Sequence, residues 1–152
     1  RSTLTWGTLQ AAEHETSSMR WTFQSNDAGK AYGVRFDLLA YLESHATEGS
    51  DLEGAALIFG ELVGNVVRHA PGPIAVELYW EDGTAVLRVV DRGPGFEWSG
   101  RSELPDSTSE CGRGLYIASQ VALALQVHRL SGNGTEALAW LPVSLGIGGP
   151  VG

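Results

Sequence analysis

Glu61-Leu62-Val63-Gly64-Asn65-Val66-Val67-Arg68-His69-Ala70 is the stretch on which the reading of this chain turns. On a helix, Glu61, Asn65, Arg68 and His69 share one face, because residues spaced by four, seven and eight positions stack above one another. The residues leading into and between them, Leu52, Ala55, Ala56, Leu57, Ile58, Phe59, Leu62, Val63, Val66 and Val67, make the rest of the helix apolar. A helix that is apolar on its other sides is a buried helix. An acid, an amide and two potential cations in one stripe of such a helix need a polar counterpart, since burying them unpaired is costly. The chain therefore reads as one built to bring a polar ligand to that stripe.

Working outward, Ala70-Pro71-Gly72-Pro73 ends the helix, because proline has no N–H to continue the ladder. Ser50, followed three residues later by Glu53, is a capping-box pattern that starts it, after the turn Glu48-Gly49-Ser50-Asp51. Upstream, Asn26 and Asp27 can cap an earlier helix that runs to about Ala46, with Val34, Leu38, Tyr41 and Leu42 along one side. Residues 19–24 alternate apolar and polar and read as a strand. Downstream, residues 74–80 and 85–90 form a hairpin around Glu81-Asp82-Gly83. Gly112-Arg113-Gly114 opens a third helix that reaches about Ala122. Residues 125–130 and 136–141 make a last hairpin around Ser131-Gly132-Asn133-Gly134. These elements predict an α+β two-layer sandwich: a mixed, mostly antiparallel sheet with about three helices on one face. Residues 1–18 read as an extended arm or linker, 19–143 as one folded domain and 144–152 as a flexible Gly-rich tail. Residues 96–111 are polar, carry Pro105 and show no period, which makes them a functional or disordered loop.

Composition narrows the function classes. At 152 residues, with 43% hydrophobic and 18% charged residues, the chain suits one domain with its own core. A net charge of -8 argues against a general nucleic-acid surface while leaving room for local cationic pockets. Cys111 is the single cysteine, so no internal disulfide forms and a reducing, cytoplasmic setting is expected. No apolar run approaches membrane-spanning length, and no secretory signal is present. Arg1 in place of a starting Met is compatible with a piece of a longer protein. His14-Glu15-Thr16 is similar to the surroundings of a phosphoacceptor histidine, but no helical hairpin encloses it, and a solvated linker histidine is the better reading.

Several residues can carry chemistry. Asp91 closes an apolar strand and, by the two-residue period, faces the same side as Leu87 and Val89. A carboxylate there only accepts hydrogen bonds, which suits an exocyclic amine such as adenine's. Gly93 and Gly95 would let the backbone approach a flat ring, although Asp-x-Gly-x-Gly also occurs as a plain turn. Gly112-Arg113-Gly114-Leu115 stands at a helix start, where free N–H groups and the helix dipole favour phosphate. Neither the P-loop order nor the dinucleotide-binding glycine pattern is present. The Asn65 side-chain oxygen suits a Mg²⁺ held mainly by phosphates. Glu61 can act as a general base, and Arg68 can meet phosphate charge or extend to solvent. His69 reads as a packed helix-end residue. Gly60 and Gly64 each cost about 1 kcal/mol against alanine in a helix interior, which implies close approach by a ligand or tight packing on a strand. Thr135 can share the amine site with Asp91 if their strands are neighbours.

Taken together and in this order, these boxes resemble the GHKL superfamily of histidine-kinase-like, gyrase-like and chaperone-like ATPases. The matching residues are Glu61-x-x-x-Asn65-x-x-Arg68-His69, Asp91-x-Gly93-x-Gly95, Gly112-x-Gly114-Leu115 and Gly134-Thr135. Within it, the Glu-Leu-Val-x-Asn-x-Val-Arg-His-Ala and Gly-Arg-Gly-Leu phrases look most like the bacterial anti-sigma-factor serine/threonine kinases. The resemblance implies that ATP is bound with Mg²⁺ on Asn65 and the adenine amine on Asp91, with Thr135 assisting through a water. It implies that Gly93 and Gly95 shape the adenine pocket and that residues 96–111 form a lid. Gly112, Arg113, Gly114 and Leu115 would belong to the segment that closes over the phosphates, with Arg68 a phosphate contact. Glu61 would be the base toward a serine or threonine hydroxyl. The implied partners are a sigma factor and a small antagonist protein, and relatives often pair as homodimers. Gly64 departs from the polar residue many relatives carry before the asparagine. Arg35 on the first helix suits a partner face or a solvated helix surface, and Cys111 a redox-sensitive or an incidental position. Two other functions fit the same boxes: a non-catalytic adenine-nucleotide-binding regulatory module, and the ATPase domain of a histidine kinase or multidomain sensor.

Overall fold

Strict alternation along the strands determines which side chains face the helices. The structure, a computed structural model, describes residues 18–69, 71–92, 110–131 and 134–146. Its strands are β1 (Met19–Gln24), β2 (Pro73–Glu81), β3 (Thr84–Asp91), β4 (Ala124–Arg129) and β5 (Thr135–Ser144), and they lie in the order β1-β2-β3-β5-β4. Each of the four pairings is antiparallel, so the sheet expected to be mixed is antiparallel throughout. The reason lies in the last hairpin, which docks on β3 through β5 and leaves β4 at the edge.

Three rows of side chains cross the covered face. One runs Met19, Leu78, Leu87, Ala139, Leu125, and the next Trp21, Val76, Val89, Ala137, Val127. The row at the end of the sheet runs Phe23, Ile74, Asp91, Thr135, Arg129 and is the one where the apolar pattern gives way. β5 continues past the expected stop at Leu141. Its alternation persists through buried Val143, and Pro142 sits where the register shifts between Thr84 and Val86, so its missing N–H costs the ladder nothing. Leu145 then bridges Ala46, which carries β structure into the segment expected to be a tail.

The helices are α1 (Ala28–His45), α2 (Leu52–His69) and α3 (Glu110–Val121). The Asp27 carboxylate caps α1 by accepting from Lys30 N–H at 3.0 Å. At α2 the capping side chain is Asp51, not Ser50: its Oδ1 accepts from Gly54 N–H at 2.9 Å. Ser50 instead accepts from the Ser144 N–H and pairs with Thr47. Val34, Leu38 and Leu42 of α1, Ile58, Leu62 and Val66 of α2, and Leu115 and Ala118 of α3 close one core over the sheet. Each leucine or isoleucine fully buried there stabilises the fold by about 1.5–3 kcal/mol. At the C-terminal end of α1, Trp80 Nε1–H donates to the Tyr41 hydroxyl at 2.9 Å. Burial there raises the Tyr41 phenol above its ordinary pKa of 10.0, with the Trp80 bond acting in the opposite direction. The expected arm (1–18, apart from Ser18) and the loop up to residue 109 lie outside the described residues, as do residues 147–152.

Candidate functional site

The polar stripe of α2 divides between two environments. Asn65 is fully buried and Glu61 half-buried, whereas Arg68 and His69 are exposed. His69 is therefore not packed as a helix-end residue. Asn65 is at 0% exposure, and neither its side-chain oxygen nor its nitrogen has a hydrogen-bond partner. Thr135, at 1%, leaves its hydroxyl without one as well. Asp91, also at 1%, stands directly opposite Thr135 across the β3–β5 ladder. α2 packs on both of those strands. Three elements thus place an amide, a carboxylate and a hydroxyl inside an otherwise apolar layer. An unsatisfied buried polar group costs about 1–3 kcal/mol, so the Asn65 amide and the Thr135 hydroxyl each call for a partner that the described residues do not supply.

An adenine nucleotide supplies such partners. Its exocyclic amine donates to a carboxylate such as Asp91, with Thr135 beside it to bind a bridging water. The orphaned Asn65 oxygen fits a Mg²⁺ ion whose other ligands come from phosphate and water. Among the described residues no cluster of three or more His, Cys, Asp or Glu side chains could hold a metal alone, so phosphates would have to complete its coordination.

The second environment is a depression of about 440 Å³ between α2 and α3, lined by Glu61, Arg68, Arg113, Gly114 and Ile117. α3 begins at Glu110, two residues before the expected start, so Gly112 falls in its first turn, where backbone N–H groups lack intrahelical acceptors. At Gly114 the two helices leave no room for a side chain. A Cβ there would stand 2.7 Å from Glu61 Oε1 and 3.7 Å from an Arg68 guanidinium nitrogen. The acid and both arginines therefore converge on a helix start suited to phosphate. Leu115, expected with this group, is fully buried in the core and anchors α3 from behind. Gly93 and Gly95 lie outside the described residues.

Gly60 and Gly64 are not explained by tight packing on a strand. A Cβ at Gly60 would meet nothing within 4 Å, and one at Gly64 would meet only the Arg68 guanidinium, at 3.3 Å. Neither faces a strand. Both line a groove between α1 and α2 that the sequence reading missed, with Tyr32, Arg35 and Val67 among its other residues. Its signal in the sequence was Tyr32 and Phe36, large apolar residues of α1 that fall off the Val34–Leu38–Leu42 stripe and stand 71% and 69% exposed.

An open antiparallel sheet covered on one face by three helices, with a buried Asn–Asp–Thr set beside a cationic helix start, defines a nucleotide-binding α+β domain. The family model described as histidine kinase-like ATPase domain matches residues 24–139, and the chain belongs to that family. No curated protein matches the chain. Among solved structures it is similar to ShkA, determined full-length in complex with AMPPNP, at 20% identity and a TM-score of 0.55. The match covers 82% of this chain and 32% of ShkA, so the chain spans about a third of that protein's length. At that identity the likeness is one of fold.

Proposed function

We propose that the chain is an ATP-dependent serine/threonine protein kinase of the anti-sigma-factor type, working in the cytoplasm, where it regulates transcription by partner switching. In this reading it holds a sigma factor inactive and phosphorylates a small antagonist protein, and it does so as a homodimer. The observation that carries the proposal is Glu61: a half-buried carboxylate, one turn from Asn65, on the wall of the depression that also holds Arg113 and Gly114. A module that only bound the nucleotide would have no use for an acid turned toward the phosphate side.

The chemistry follows from the placement. Asp91 accepts from the adenine amine and Thr135 assists through a water, while Gly93 and Gly95 are assigned to the adenine pocket by the family resemblance alone. Asn65 would hold Mg²⁺, which supplies charge neutralisation at the phosphates. Arg68, Arg113 and the N–H groups at the start of α3 bind the phosphate oxygens. Glu61 removes the proton of the acceptor hydroxyl as its oxygen attacks the γ-phosphorus. The bond from that phosphorus to the β–γ bridging oxygen breaks, and ADP leaves with both electrons of the bond. With radiolabelled ATP and candidate antagonist proteins, Glu61→Ala is expected to keep ATP affinity while lowering transfer by about 10²–10⁴-fold. If nucleotide binding disappears together with transfer, Glu61 is not the base.

A second reading, the ATPase domain of a histidine kinase or multidomain sensor, is supported by the fold likeness to a longer chain, ShkA. The same assay separates the two, because phosphohistidine is lost in acid and phosphoserine or phosphothreonine is retained. Nucleotide binding with no transfer to any acceptor would leave the non-catalytic regulatory module.

A further inference from the structure

Five large apolar side chains stand exposed among the described residues, and four of them gather around one track on the surface. Tyr32 and Val67 line the groove between α1 and α2, which holds about 430 Å³. Phe36 stands one turn along α1 from Tyr32, on the same flank. Leu57 lines an adjoining depression of about 390 Å³ together with Arg35, Glu53, Gly60 and Glu61. Single exposed apolar residues are ordinary, but a contiguous set marks a contact surface.

The track leads to Glu61, the carboxylate proposed as the base. The groove and the adjoining depression share Arg35 and Gly60, and that depression meets the phosphate-side depression at Glu61. Gly60 is the saddle between them. A side chain there would touch nothing of this chain within 4 Å, so packing within the chain places no demand for glycine, whereas a segment lying across α2 at that point does. The groove walls carry two guanidinium groups, Arg35 and Arg68, and no carboxylate, whereas Glu53 and Glu61 line the adjoining depression, so the cationic part of the track is its groove end. An acidic segment meets Arg35 with opposite charge.

We propose that this track is the docking site for the acceptor segment of a protein substrate, an acidic stretch bearing apolar residues whose serine or threonine hydroxyl reaches Glu61 across Gly60. Its apolar residues rest on Tyr32, Phe36 and Val67, and a carboxylate pairs with Arg35. The proposal rests on the kinase reading only for the hydroxyl it delivers.

The test uses the full chain and two fluorescein-labelled amphipathic serine peptides of equal length and apolar content. One carries glutamates on its polar side and the other lysines. Anisotropy without nucleotide is expected to show binding of the acidic peptide alone, weakened at least about tenfold by Gly60→Leu. That variant fills open space, so it is expected to melt no lower than the parent chain and to bind ATP equally well. Arg35→Glu is expected to move the preference to the lysine peptide. Binding that is indifferent to Gly60→Leu and Arg35→Glu would overturn the proposal, as would failure of both peptides to bind. A dimer of the chain broken by Gly60→Leu, with no peptide bound, would assign the groove to a second copy and also overturn it. Phosphate transfer is measured separately. Groove-dependent binding without transfer sinks the kinase reading alone, and transfer unaffected in KM by Gly60→Leu sinks the docking site alone.

Discussion

Asn65 and Thr135 are the residues at which the isolated chain is least at ease with itself. Both are buried, and both leave side-chain polar atoms unpaired. Replacing Thr135 by valine keeps the shape and removes a hydroxyl that has no partner. The unliganded protein is then expected to gain about 1 kcal/mol against urea, since the lost penalty for an unsatisfied group is of that order. The same variant is expected to bind ATP more weakly, because in the proposed site a bridging water between Thr135 and Asp91 would lose its second anchor. A loss of stability on Thr135→Val would mean that the hydroxyl already has a partner within the fold. Asp91→Asn tests the other half of the pair. It sets an amide donor against the adenine amine and is expected to cost about 1.5–3 kcal/mol, roughly 10- to 150-fold in Kd, for ATP and ADP alike. Titration calorimetry giving unchanged affinities would place adenine elsewhere.

At the scale of elements, the β3–β5 pairing decides whether Asp91 and Thr135 meet at all, and Gly134 fixes that pairing. Its φ of +110° is open to glycine and strained for other residues, and a Cβ there would collide with the Asp91 carbonyl oxygen. Gly134→Ala is therefore expected to cost more than about 1 kcal/mol and to depress nucleotide affinity with it, as read by thermal melting and calorimetry. An alanine variant as stable as the parent would show that the strand entry can relax without losing the pair. Most of the element pattern was open to reading beforehand, because the strands alternate and Pro71 and Pro73 punctuate the chain after α2. The capping residue of α2 was not, since Ser50 and Asp51 are adjacent and both suit an N-cap; only the contact to Gly54 separates them. The all-antiparallel order was not legible either. Nothing local to residues 124–144 says which strand of the last hairpin will dock on β3.

For the molecule as a whole, the site was legible where residue type and period coincide and obscure where it depends on relative placement. Asn65, Asp91 and Thr135 could be named because polar residues on apolar-periodic elements are conspicuous. The convergence of Glu61, Arg68 and Gly114 depends on how α3 crosses α2, and the groove beside Gly60 depends on how α1 diverges from it, so neither spacing nor composition reveals them. One consequence belongs to no single residue: a fold with unsatisfied polar groups in its interior is completed by its ligand. Mg·ATP at about a hundred times its Kd is expected to stabilise the chain by about 2.7 kcal/mol. For a domain of this size that is a rise in Tm of roughly 5–10 °C. If Asn65 holds Mg²⁺ as proposed, chelating Mg²⁺ should reduce this shift in the parent chain and leave an Asn65→Leu variant unmoved. That variant, freed of its unpaired amide, should melt higher than the parent without nucleotide and lower than the parent with Mg·ATP. The crossing of the two melting temperatures is the decisive observation. If Asn65→Leu melts higher under both conditions and still responds to chelation, the metal is held somewhere other than on α2.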